Sequence, residues 1–153
     1  MSYTFRYLEA APEALHEAFT LMCELRPHLQ EACVFAEQIT RQAQQGYRLL
    51  AAVDTTAQAE RVVALAGYRT LENLLYGRFI YVDDLVVSPA LQRGGLGAEL
   101  LNLVREEAVR CQCDHLVLDT GLHMPLAQRF YFRQGLLARG MHFTQRLNAG
   151  ALS

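Results

Sequence analysis

Apolar positions in this chain change period several times, and each change marks an element. Residues 3–9 alternate and predict a first strand. From Pro12, a residue suited to a first helical turn, Leu15, Ala18, Phe19, Met22 and Leu25 recur at helical spacing until Pro27 ends the run. A second helix is predicted near 30–45, with Ala32, Phe35, Ala36 and Ile39 inward and Gly46 as its stop. Strands follow over 47–53 and 61–68, the latter continuing loosely through Leu75, with a polar turn at 54–60 between them. Gly77 marks a turn. Residues 78–87 are nearly all apolar, which predicts a strand covered on both faces and central in its sheet. Leu96, Leu100, Leu103, Val104, Ala108 and Cys111 stripe one side of the next helix. A short buried strand is predicted at 115–119, and a helix from Pro125 to Gly135. Met141, Phe143 and Leu147 then alternate with His142, Thr144 and Arg146, which predicts a last strand. Residues 148–153 are small and polar enough to fray.

The predicted order is β-α-α-β-β-β-α-β-α-β, with no repeat, linker or low-complexity segment. It reads as one mixed α/β domain over residues 1–153. The strand–helix–strand unit across 78–119 is expected to be a right-handed parallel crossover.

Composition narrows the function classes. The 14 basic residues are all arginine, so neither a Schiff-base lysine nor a P-loop lysine exists here. A net charge of −2 shows no basic excess for nucleic acid. No apolar run is long enough to span a membrane, and the first residues lack the apolar stretch of a signal peptide, so the expected location is cytoplasmic. The cysteines at 23, 33, 111 and 113 are then expected to be reduced. The lone Cys111-Gln112-Cys113 lacks zinc-site spacing, and no metal is expected.

The stretch from Tyr81 to Leu101 carries the candidate chemistry. An apolar strand bearing Asp83 and Asp84 runs into Gln92-Arg93-Gly94-Gly95-Leu96-Gly97-Ala98, and that glycine turn opens into a helix. Such a turn aims backbone N–H groups and the positive end of the helix dipole at one point, where a pyrophosphate would sit. A Walker A loop fails for want of lysine. A dinucleotide fingerprint matches at Gly95 and Gly97 but has Leu100 in its third position, although Asp119 stands where a ribose-binding acid would. Adjacent acids in an apolar strand are costly unless solvated, paired or used, and in a regular strand they point to opposite faces.

The run Gln92 to Gly97 resembles the Q/R-x-x-G-x-G/A signature of the GNAT acetyltransferase superfamily. Leu85-Val86-Val87-Ser88-Pro89 looks like that family's L-x-V-x-P strand end, and residues 127–136 look like its A-x-x-F-Y-x-x-x-G-F segment, with Leu136 replacing the usual aromatic. The resemblance covers most of the chain. It implies a mixed, mostly antiparallel sheet with the parallel crossover, flanked by helices. It also implies acetyl transfer from acetyl-CoA to a primary amine, on a small molecule or on a protein lysine or N-terminus; a non-catalytic acyl-CoA-binding module is the alternative. In that reading Asp83 or Asp84 is the base, without a choice between them, and Tyr131 meets the coenzyme sulfur. The glycine turn, including Gly94, Gly95, Leu96, Gly97 and Ala98, holds the pyrophosphate with Gln92 and Arg93. Leu85, Val86 and Val87 pair with the pantetheine amides through their backbone. Ala127, Phe130 and Arg133 border the coenzyme, and Arg26 and His142 border the acceptor. Dimers are common in that family.

Overall fold

The protein is represented by a computed structural model that describes residues 2–56 and 58–148. By its contacts the chain divides into two compact units, residues 1–118 and 119–153.

The first unit is a five-stranded sheet in the order β1-β2-β3-β4-β5, formed by Tyr3–Tyr7, Arg48–Asp54, Arg61–Asn73, Gly77–Val87 and His115–Leu118. The first three pairings are antiparallel, and β4 with β5 is parallel. Helices α1 (Pro12–Leu25) and α2 (Ala32–Gln44) lie between β1 and β2 in sequence, and α3 (Leu96–Arg110) crosses from β4 to β5. This is the mixed sheet with a parallel crossover that the sequence implies.

The apolar stripes explain which helix covers which face. Leu15, Ala18, Leu21 and Met22 of α1 and Phe35, Ala36 and Ile39 of α2 pack with Tyr47, Leu49, Ala51, Val53, Leu65 and Val86. Leu100, Val104 and Ala108 of α3 pack with Leu50, Ala52, Ala64, Ala66, Tyr68, Ile80 and Val82. Neighbours in sequence, such as Leu49 and Leu50, enter opposite cores because side chains alternate along a strand. That is why β2 reads as a continuous apolar run. Burying a side chain the size of Leu65 or Ile80, both fully covered, stabilises the fold by about 1.5–3 kcal/mol each.

Helix ends follow the local chemistry. Pro12 occupies the first turn of α1. At its other end Pro27 excludes the helical conformation for its predecessor, and Arg26 leaves the helix at φ −122°, ψ 77°. A short 3-10 turn, Pro89–Leu91, follows β4.

The second unit holds α4 (Pro125–Arg133), which ends where Gly135 takes φ 86°. The expected last strand is a correction. Residues 141–147 pair with no strand among the described residues, and Met141, Phe143 and Leu147 are exposed. Alternation makes a segment competent for a sheet, but a strand also needs a ladder partner for its N–H and C=O groups. The expectation of a fraying tail falls on residues that, from 149 onward, lie outside the described ones.

Candidate active site

The site starts from a break in strand pairing. In the β3–β4 ladder Gly67 faces Asp84 and Tyr68 faces Val82, so Asp83 has no opposite residue. One extra residue in a strand is a β-bulge, and it resets the alternation of faces. Val82, Leu85 and Val87 therefore pack on the α3 side, while Asp84 and Val86 turn to the face covered by α1 and α2. Both carboxylates are engaged on that face.

Three side chains receive them. The Tyr47 hydroxyl donates to Asp84 Oδ2 at 2.7 Å. Arg26 donates to Asp84 Oδ1 through Nε at 3.1 Å and Nη2 at 3.0 Å, and Nη2 also reaches the Asp83 carbonyl at 2.9 Å. Arg69 forks onto the Asp83 carboxylate, Nε to Oδ2 at 2.9 Å and Nη2 to Oδ1 at 2.7 Å, and its guanidinium lies 5.4 Å from the centre of the Tyr81 ring. Such charge-assisted forks fix geometry as well as charge. Burial first, and the adjacent Asp84 second, push the Tyr47 phenol well above its ordinary pKa, so it stays a neutral donor. Its pairing with Asp83 raises the pKa of Arg69 above the usual guanidinium value.

Gly67 is part of this arrangement. A Cβ there would lie 1.7 Å from the Tyr47 hydroxyl oxygen, so the glycine lets Tyr47 lie across β3 to reach Asp84. Sequence reasoning singled out neither Tyr47, Gly67 nor Arg69. The usable signal was a cation, Arg69, next to an otherwise apolar stretch of β3.

Beyond the bulge β4 parts from its neighbour. The parallel pairing with β5 ends at Val82 and Leu118, while β4 continues to Val87. Over 83–87 no described strand pairs with that edge of β4.

The glycine turn follows directly. Arg93 and Gly95 take positive φ, 69° and 86°, and Gly95 caps α3. The first hydrogen bond into that helix runs from the Glu99 N–H to the Gly95 carbonyl. The N–H groups of Leu96, Gly97 and Ala98 therefore precede the helical ladder, and an anion can take them. Gly94 and Gly95 are exposed, and a Cβ on Gly95 would meet no atom within 4 Å, so the outer side of the turn is open. Leu96, buried among Leu100 and its neighbours, holds the helix start against the sheet. Gln92, an exposed residue, donates to the Val87 carbonyl at 3.2 Å, tying the turn to the strand end.

In the second unit Tyr131 is half-buried in α4, its ring edge-on to Phe130 at 5.3 Å. Ala127 stands one turn before Tyr131, and Arg133 is exposed at the helix end. Gln128 donates to the carbonyls of Gly121 and Leu122, bracing the loop before the helix. His142 Nδ1 lies 3.0 Å from Asp119 Oδ2, both partly exposed. Among the described residues no group of three or more His, Cys, Asp or Glu side chains is arranged to hold a metal. No helix there is long and apolar enough to cross a membrane.

Solved structures with the same fold include an acetyltransferase from Trypanosoma brucei, at 20% identity and TM-score 0.77, covering 95% of this chain and 100% of that one. A glucosamine-6-phosphate N-acetyltransferase from Arabidopsis thaliana aligns at 14% identity and TM-score 0.74, covering 97% and 100%. An aminoglycoside acetyltransferase from an uncultured soil metagenomic sample, in complex with sisomicin, aligns at 14% identity and TM-score 0.76, covering 95% and 97%. No curated protein matches the sequence. Residues 10–136 match the acetyltransferase (GNAT) family, spanning the bulged strand, the glycine turn and α4 together, and the chain belongs to that family.

Proposed function

We propose that this protein is an N-acetyltransferase, acting as one domain over residues 1–153, that moves acetyl from acetyl-CoA to a primary amine of a small molecule. The observation that carries this reading is the bulge at Asp83. It puts two carboxylates on one face of β4, beside a stretch of that strand whose far edge no described strand pairs and which leads into an anion-receiving turn. The residues fit the coenzyme. The N–H groups of Leu96, Gly97 and Ala98, with the open side of Gly95, suit a pyrophosphate. The edge of β4 at Leu85–Val87 can pair with an extended chain of amides.

The chemistry asks three things of these residues. An alkylammonium, with an ordinary pKa near ~10, must lose a proton before nitrogen can attack. Asp83 is the better placed base. It stands at the bulge, and both its oxygens rest on a single group, the Arg69 fork, whereas Asp84 is tied to two separate groups, Arg26 and Tyr47. Asp84 is then the anchor that fixes the bulge. The oxyanion of the thioester takes a backbone N–H of β4 beyond the bulge. The Tyr131 hydroxyl protonates the departing sulfur, and a phenol remains protonated at neutral pH to do so. The two small-molecule acetyltransferases of like fold add support for a small acceptor.

Release of CoA thiol from acetyl-CoA, followed over a panel of amines, tests this. Asp83→Asn and Tyr131→Phe are each expected to cut kcat by about 100-fold or more, the usual worth of a general acid or base. Binding of acetyl-CoA without turnover on any amine, together with no effect of Tyr131→Phe, would make the protein a binding module instead.

A further inference from the structure

Two guanidiniums converge on Asp83, Arg69 on its carboxylate and Arg26 on its carbonyl, while Arg26 also holds Asp84. The arginines are the more open members of the cluster. Their side chains are 43% (Arg26) and 34% (Arg69) exposed, against 20% for Asp83 and 14% for Asp84. Two positive and two negative charges cancel, and Tyr47 adds a neutral donor. A plain ammonium reaching this face would add an uncompensated charge at a half-buried place. It would also find each carboxylate already holding an arginine.

An acceptor with an acid group close to its amine removes both difficulties. We propose, resting on the acetyltransferase reading above, that the acceptor is such a zwitterion, an amine bearing a nearby carboxylate, sulfonate or phosphate. Its anion takes the Arg69 fork, Asp83 is thereby released, and the acceptor's ammonium moves onto Asp83. Planar forks suit these anions, and the exchange replaces one charge-assisted pair with two. One ammonium proton passes to Asp83 and later to water. The C–N bond forms as the C–S bond breaks. A second proton ends on the coenzyme sulfur, and the third stays on the amide nitrogen.

The test uses matched pairs: β-alanine against propylamine, taurine against ethylamine, and O-phosphoethanolamine against ethanolamine. Each is measured by CoA thiol release and by calorimetric binding to the CoA-saturated protein. The anionic member of at least one pair is expected to bind about 10- to 100-fold more tightly, the range of a charge-assisted hydrogen bond. Arg69→Gln is expected to shrink that preference toward parity, and Arg69→Lys, which keeps the charge but not the fork, to restore part of it. An anionic member bound no better than its partner in every pair, including no binding of either, overturns the proposal. So does a preference that survives Arg69→Gln. A binding preference without turnover supports this inference and counts instead against the acetyltransferase reading.

Discussion

At the scale of single residues, the site depends on groups whose roles come from their neighbours. Gly67 is the clearest case. Its lack of a Cβ admits the Tyr47 ring, and Tyr47 in turn holds Asp84. Gly67→Ala should destabilise the fold by about 1–3 kcal/mol, the range for overpacking a filled site. Because both changes act through one contact, the double variant with Tyr47→Phe should cost less than the sum of the two. Urea unfolding of the four proteins of that cycle measures the coupling. A fully additive result would mean that the ring moves aside freely. Tyr47 also sets an alkaline limit. Its folded pKa lies above the ordinary 10.0, so the folded state keeps a proton that the unfolded chain gives up. That contribution is fully present below pH ~10 and falls as pH rises beyond it. Wild-type stability should therefore fall as pH rises above ~10, and more steeply than that of Tyr47→Phe. Parallel urea midpoints for the two proteins would refute this assignment.

At the scale of elements, β4 carries the most information. Its bulge is one residue long, so deleting Asp83 restores unbroken alternation. Val82 would still face α3, and Asp84 would still face Tyr47. The deletion variant should therefore fold, with circular dichroism and a cooperative melt close to wild type, yet lose turnover. Loss of folding would show that the bulge is needed by the sheet itself. The sequence showed the two aspartates but not the bulge. Strand parity can be counted along one chain, whereas a bulge exists only relative to its partner, here Gly67 and Tyr68 of β3. The glycine turn was more legible, because a positive φ at Gly95 is a local demand that the residue type answers. Its neighbour Arg93 also takes positive φ, which nothing in the residue type foretells.

At the scale of the whole molecule, ligand binding couples to stability. A ligand that binds only the folded protein raises its melting temperature by mass action. Acetyl-CoA at about 100 times its Kd should raise Tm by about 5–10 °C, and NAD should leave it unchanged. Gly95→Glu puts a carboxylate at the open side of the turn and should abolish the shift. The left-handed backbone there adds a penalty of about 1–2 kcal/mol for any side chain. Scanning fluorimetry reads both effects. A normal shift in Gly95→Glu would place the coenzyme elsewhere.

The sequence by itself determined the elements of the first unit nearly to the residue, because hydrophobic period, proline starts and glycine stops are local properties of a chain. It determined the glycine turn and the family for the same reason. Only the tertiary structure decided that both aspartates share one face and that Arg26 and Arg69 neutralise them. It also decided that Tyr47 is a positioning donor and that residues 141–147 are not a strand. Each of those depends on a partner far away in sequence, and the one-dimensional pattern carries no record of who that partner is.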